Sequence, residues 1–187
     1  MAGKKKVKAS LGNPSLLEPL DRDKTNIQVV IETPKGSRNK YAFDEKQRVF
    51  GLTKVLPAGM EFPYDFGFVP STLAEDGDPT DVLVLMDEPA FPGCILHCRI
   101  VGIIKGEQVK KKKRERNDRI VAIEKENHSF ADIGHIKDLG QTFLEELEEF
   151  FVNYHQLSGE KYRILGAKGP AVAIKRLKDG MRAFKKK

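Results

Sequence analysis

Seven short apolar runs recur along the chain, at residues 27–31, 41–43, 49–56, 66–69, 82–86, 95–104 and 120–123. Turn-forming stretches separate them, among them Pro34-Lys35-Gly36-Ser37, Pro57-Ala58-Gly59 and Pro92-Gly93. Runs of this length, broken this often by Gly, Pro, Asn and Asp, read as strands rather than helices. The pattern restricts most of the chain to an antiparallel barrel or sandwich. Past residue 135 the period changes. Phe143, Leu144, Leu147, Phe150, Phe151 and Tyr154 repeat at helical spacing, with Glu145, Glu146, Glu148 and Glu149 on the wet side and Gly159 as the stop. A second, shorter helix is expected after Pro170, with Ala171, Ile174 and Leu177 as its apolar side. The expected fold class is therefore mixed but mainly β: a barrel with C-terminal helices packed on its outside.

At 187 residues the chain is long enough for one domain with a substantial core. Residues 1–24 read as a basic N-terminal arm, interrupted by Pro14 and Pro19, and residues 25–187 as a single domain. No apolar run approaches a membrane span, and the basic start has no apolar signal core behind it. The expected location is cytoplasmic, with no membrane partner. The net charge of +6 is uneven, with cations gathered in the first eight residues, from Lys110 to Arg116, and at Lys185 to Lys187. Solvated tails and a solvated loop account for these, and attraction of an anion is the functional alternative. Aromatic residues do not interleave with the lysines, so nucleic acid is not the expected partner. Cys94 and Cys98 flank His97 without a second pair of ligands to complete a zinc site, and they read as buried thiols on one strand face.

The chemistry-bearing feature is Asp76-Gly77-Asp78-Pro79-Thr80-Asp81, three carboxylates on a turn that runs into the strand at Val82. Carboxylates this close repel one another, and bound cations relieve that repulsion. Three readings stay open on the motif alone: an oxygen-ligated Mg²⁺ site, a structural Ca²⁺ site, or a plain acidic loop. The EF-hand spacing is absent.

Several segments together carry a resemblance. Glu32 to Tyr41 comes first, then Pro63 with Gly67-Phe68-Val69-Pro70, then Glu75 to Val84, followed by Pro92-Gly93, Arg99, Val101-Gly102 and the helix ending in Phe150-Phe151 and Tyr154. In that order they resemble the family I soluble inorganic pyrophosphatases, over roughly residues 25 to 175. The resemblance implies an OB-like five-stranded antiparallel barrel with flanking helices and Mg²⁺-dependent hydrolysis of pyrophosphate. It also implies a homo-oligomer, dimer or hexamer. Asp76, Asp78 and Asp81 fall on the family's metal-binding signature, with Asp78 at the position that helps deprotonate a metal-held water. Glu32 falls on an acidic position, and Arg38 and Lys40 lie in a phosphate-contacting segment. Tyr154 matches a tyrosine that touches product phosphate. Lys40 and Lys54 would stabilise charge on the departing phosphate.

The sequence also departs from the family pattern. Ala42 stands where an acidic residue is usual, and Lys54 replaces an arginine, losing its bidentate fork. Phe62 and Phe66 replace tyrosines, and His155 replaces a basic residue after the helix tyrosine. Asn117 falls where a second metal-binding aspartate is expected, with Arg119 in place of the following lysine. Glu107 and Asp118 are the carboxylates available to substitute as metal ligands. Arg119 and His155 join the candidate substrate-binding residues. Three readings fit: a working but divergent pyrophosphatase, a hydrolase of another phosphoanhydride, or a related fold that binds phosphate ligands or a partner without turnover.

Overall fold

The computed structural model describes residues 12–110, 113–157 and 159–186. The basic run at Lys4–Lys8, Lys111, Lys112 and Lys187 therefore lie outside the described residues. The strands are β1 (Ile27–Thr33), β2 (Asn39–Asp44), β3 (Val49–Val55), β4 (Asp65–Val69), β5 (Thr80–Leu85), β6 (Ile95–Lys110), β7 (Lys113–Arg116), β8 (Arg119–Glu124) and β9 (Lys161–Lys168). Helix α1 (Gln141–Gln156) precedes β9, and α2 (Pro170–Phe184) follows it. Each of the seven apolar runs lies largely within a strand.

Strand β1 pairs with β4, β4 with β5, β5 with β8, β8 with β6, and β6 returns to β1, so five strands close a ring. The pairing of β5 with β8 is parallel, which corrects the expectation of an entirely antiparallel set. A parallel pair needs a crossover, and β6 with its return through β7 provides one. Strands β5 and β8 are buried on both faces. Leu83, Leu85, Val121 and Ile123 enter one apolar cluster with Phe151 and Tyr162, while Val82, Val84, Ile120 and Ala122 enter another with Ala173 and Leu177. Burial on both faces is why these strands read as unbroken apolar runs.

Helix α1 buries Leu147, Phe151 and His155, spaced four residues apart, and ends near the predicted Gly159. Helix α2 opens with Pro170 at its first turn, where the missing N–H costs nothing. Its buried face is Ala173, Leu177 and Gly180, whereas Ala171 and Ile174 are exposed. The expected apolar side shares Leu177 with the observed one and is otherwise rotated from it. The solvated loop expected over residues 110–116 is partly the strand β7, paired antiparallel with the end of β6. Strand β9 also went unpredicted. Cys98 is buried and Cys94 half-buried, both as free thiols.

The described part of the N-terminal segment is docked on the ring. Gln28 N–H donates to the Pro19 carbonyl at 2.9 Å, Ser71 N–H donates to the Ser15 carbonyl at 2.8 Å, and Ser15 is buried. Among the described residues, no helix is long and apolar enough to cross a membrane.

Candidate active site

Strand β1 ends beside the β2–β3 hairpin, and its penultimate residue, Glu32, is fixed from two directions. Its Oε1 accepts the Phe43 N–H at 2.8 Å, and its Oε2 lies 3.4 Å from Lys40 Nζ. Lys40 reaches this point over the Phe66 ring, 4.1 Å from its centroid. Phe66 itself is buried in β4. The Phe66 ring thus helps to place the Lys40 ammonium.

The aspartate segment leaves β4 through a turn. The Thr72 hydroxyl donates to the Val69 carbonyl at 2.6 Å and accepts the Thr80 N–H at 2.9 Å, closing the base of the loop. Ala74 N–H donates to the Asp78 carbonyl at 2.7 Å, and Gly77 takes φ +94°, where other residues would be strained. Asp78 is exposed at the tip, Asp76 half-buried, and Asp81 is the second residue of β5. Burial raises the Asp76 carboxyl above its ordinary range, with the Asp78 charge adding to it. Burial pushes Asp81 up to about 7, opposed by Arg119 and Lys40 and reinforced by Asp76 and Glu32.

Arg119, the first residue of β8, is buried beneath these carboxylates. Its Nε lies 3.9 Å from Asp81 Oδ2, its Nη1 donates to the Tyr162 hydroxyl at 2.5 Å, and its Nη2 meets His155 Nε2 at 3.0 Å. The guanidinium also stacks over Phe151, 4.1 Å from the ring centroid. His155 comes from the last turn of α1, its ring parallel to Tyr162 at 4.4 Å. Burial, then the adjacent guanidinium, lowers its pKa to about 4, so it is neutral at pH 7. Arginine only donates, so Nε2 must accept and Nδ1 carries the proton toward Glu160 Oε2, 3.2 Å away. Burial likewise pushes the Tyr154 hydroxyl up to about 12.

These groups line one cavity of about 480 Å³, which includes Glu32, Lys40, Asp76, Asp78, Asp81, Arg119, Tyr154 and His155. Ala42 and the uncharged pair Asn117 and Gln108 also line it, the Asn117 amide donating to Gln108 Oε1 at 2.8 Å. Carboxylates therefore face a guanidinium, an ammonium and amides across a small polar space. Among the described residues, no three acidic, histidine or cysteine side chains converge into a preformed metal cage. The donor set nevertheless fits Mg²⁺, which keeps several waters and takes one or two carboxylates plus substrate phosphate oxygens. A cation beside them would favour the ionised form of Asp76 and Asp81, against the burial that raises both carboxyls.

The family model for inorganic pyrophosphatase matches residues 29–185. The chain belongs to the inorganic pyrophosphatase family. It is 36% identical to the inorganic pyrophosphatase of Synechocystis sp. over 159 residues, which is 85% of this chain and 92% of that one. It is 39% identical to the Nostoc sp. enzyme of that name over 140 residues, 75% of this chain and 80% of the other. Among solved structures, the inorganic pyrophosphatase of Thermus thermophilus superposes with a TM-score of 0.86 at 32% identity, covering 93% of this chain and 99% of that one.

Within this pyrophosphatase fold, four candidate residues do not line the cavity. Lys54 stands just beside it, its ammonium 4.6 Å from the centre of the Tyr154 ring. Arg38 is exposed and donates to the Leu56 carbonyl at 3.0 Å. Glu107 points the other way from Gln108 along β6 and lies 3.8 Å from Arg114. The Asp118 carboxylate is turned behind the cavity, where it accepts the Gly106 N–H at 3.0 Å and bonds Arg116 and Arg176, each at 2.7 Å. Sequence reasoning missed Gln108, Glu160 and Tyr162, which complete or orient the lining.

Proposed function

We propose that the chain hydrolyses inorganic pyrophosphate to two phosphates, with Mg²⁺ as the cation. The observation that carries this reading is the placement of Asp76, Asp78 and Asp81 opposite Lys40 and Arg119 in one cavity. Pyrophosphate is a compact polyanion, and hydrolysing it requires both charge neutralisation and a nucleophile at neutral pH. Held by Asp76, Asp78 and Asp81 with Glu32 beside them, Mg²⁺ would supply both, as charge neutralisation for the phosphoryl groups and a more acidic water as nucleophile.

The chain's own groups do the rest. Asp78, exposed at the loop tip, is positioned to take the proton from that water. Arg119 cannot swing toward substrate without leaving Tyr162 and His155, so it presents a fixed positive charge rather than a mobile clamp. Lys40, tethered to Glu32, contacts the phosphoryl oxygens, and Lys54, just beside the cavity, adds positive charge near the departing phosphate, whereas Arg38 stays outside it. Tyr154, held protonated, donates its hydroxyl to phosphate. Glu107 and Asp118 do not take part as metal ligands in this reading.

The uncharged Asn117–Gln108 pair and Ala42 favour a second reading, in which fewer carboxylates hold the cation weakly and phosphate binding outlasts turnover. Phosphate release from pyrophosphate and from ATP, each titrated with Mg²⁺ and then chelator, separates the possibilities. Release from pyrophosphate that needs Mg²⁺ supports hydrolysis, preference for ATP assigns another phosphoanhydride, and binding of phosphate without release supports the second reading. The expected homo-oligomer and cytoplasmic location belong to the same proposal, and sedimentation at micromolar concentration tests the former.

A further inference from the structure

We propose that Arg176 is a positioning residue that ties the Asp76–Asp78 loop to the Asn117–Arg119 segment from behind, and thereby sets the cavity's affinity for a divalent cation. This rests on the cation-dependent reading above.

Arg176 lies on α2, outside the cavity, in a separate pocket with Glu75, Arg116 and Asp118. Its Nη1 donates to Glu75 Oε1 at 2.9 Å, and its Nε and Nη2 donate to Asp118 Oδ2 at 3.0 and 2.7 Å. Glu75 immediately precedes Asp76. Asp118 sits between Asn117 and Arg119, both of which line the cavity. One guanidinium is thus bonded to the direct neighbours of residues on both sides of the site.

The two ends of this strut differ in rigidity. Asp118 is 5% exposed and is held by the Gly106 N–H and Arg116 as well, so it is a firm anchor of charge-assisted bonds. Glu75 is 54% exposed, and a pair of that kind holds weakly by itself. Helix α2 reinforces this end at two further points. The Leu73 N–H donates to the Gly180 carbonyl at 3.1 Å, and Gly180 packs so close to Thr80 that an added Cβ would lie 2.9 Å from its hydroxyl. Contacts at 73, 75 and 80 therefore bracket Asp76 and Asp78.

That bracketing matters because the two carboxylates repel each other and the loop carries a glycine. A free loop would relax by splaying them toward solvent, and a cation would have to regather them. Fixing the backbone beforehand removes part of that ordering cost from the binding step.

The test is direct Mn²⁺ binding, followed by the paramagnetic resonance of the free ion, on the full chain and its variants. Arg176→Ala is expected to weaken binding about tenfold, Arg176→Lys to recover part of the loss, and Gly180→Ala to weaken binding independently. The Mg²⁺ concentration for half-maximal turnover should rise by the same factor for Arg176→Ala, while turnover at saturating Mg²⁺ stays within about twofold of wild type. Asp118→Asn should add little in the Arg176→Ala background. Equal losses in both backgrounds would overturn the strut and make Asp118 a ligand in its own right. Unchanged Mn²⁺ affinity in Arg176→Ala, with wild type binding normally, would overturn the strut alone. If Arg176→Ala does not fold, Arg176→Lys decides, and wild-type affinity in it would count against the proposal. A wild-type protein that binds no Mn²⁺ would remove the cation-dependent reading and the strut together.

Discussion

Arg119 Nε lies 3.9 Å from Asp81 Oδ2 and is buried without a hydrogen-bond partner. The remaining nitrogens of that guanidinium are engaged with Tyr162, Asn117 and His155. The unmet donor therefore faces the acidic half of the cavity, where anionic ligands are to be held. Removing Arg119 would leave His155 Nε2 and the Tyr162 hydroxyl without their charged donor. Arg119→Ala should lower unfolding stability by about 3 kcal/mol, at the lower end for a broken buried pair because Asp81 is partly wet. Urea denaturation in the presence of chelator checks this.

The same two residues give opposed pH dependences in cation-free protein. Asp81 is raised from its ordinary value of 3.8 to about 7, so between those values the folded chain holds a proton the unfolded chain has lost, and stability falls as pH rises. His155 is lowered from 6.5 to about 4, so over that range the unfolded chain binds the extra proton, and stability falls as pH drops. Single variants should unmask each limb. Between pH 4.5 and 7, Asp81→Asn should gain stability more steeply than wild type with rising pH, and His155→Gln should lose it more steeply. Urea midpoints at the two pH values, with chelator present, read the sign directly.

Tyr162→Phe isolates the network beneath the site. The hydroxyl accepts from Arg119 and donates to the Asn117 carbonyl at 2.9 Å, and Gly106 leaves it room, since a Cβ there would lie 1.8 Å from the oxygen. Losing the hydroxyl should cost about 2 kcal/mol of stability, measured by urea denaturation. Gly106→Ala should cost at least as much, because the ring itself must move.

Lys40→Met should separate function from fold. The Glu32 carboxylate keeps its bond from the Phe43 N–H, and a methionine stem still packs on Phe66, so stability should change by no more than about 1 kcal/mol. The value of kcat/KM for pyrophosphate should fall about 100-fold, measured at saturating Mg²⁺.

Much of this site could be read in the sequence through its resemblance to the inorganic pyrophosphatases, and its residues come from strand ends and a helix face. Glu32, Asp81 and Arg119 each sit at the end of an apolar run, and Tyr154 and His155 follow the regular face of α1. The readings around residues 105–118 were harder. The pairing of β6 with β9 shifts register between Lys105 and Gly106, and a one-residue slip exchanges the faces of a strand. Glu107 and Asp118 carry the charge expected of ligands, yet the cavity receives their neighbours Gln108 and Asn117. Strand β9 carries no alternating pattern, because its apolar residues are mostly half-buried: only Tyr162 is buried, beside half-buried Ile164, Leu165, Gly166 and Ala167. Glu160 lies just before that strand, and no periodic pattern marks it. In α2 the buried face follows Gly180 packed on Thr80, a tertiary contact that local pattern does not encode.

Phosphate release from pyrophosphate, compared between wild type and Asp78→Asn across a Mg²⁺ titration, tests the central claim most directly. The account predicts Mg²⁺-dependent release by wild type and a loss of about 100-fold or more in the variant, because the loop-tip carboxylate takes the proton from the attacking water. Release by wild type no greater than that of Asp78→Asn at any Mg²⁺ concentration would contradict it.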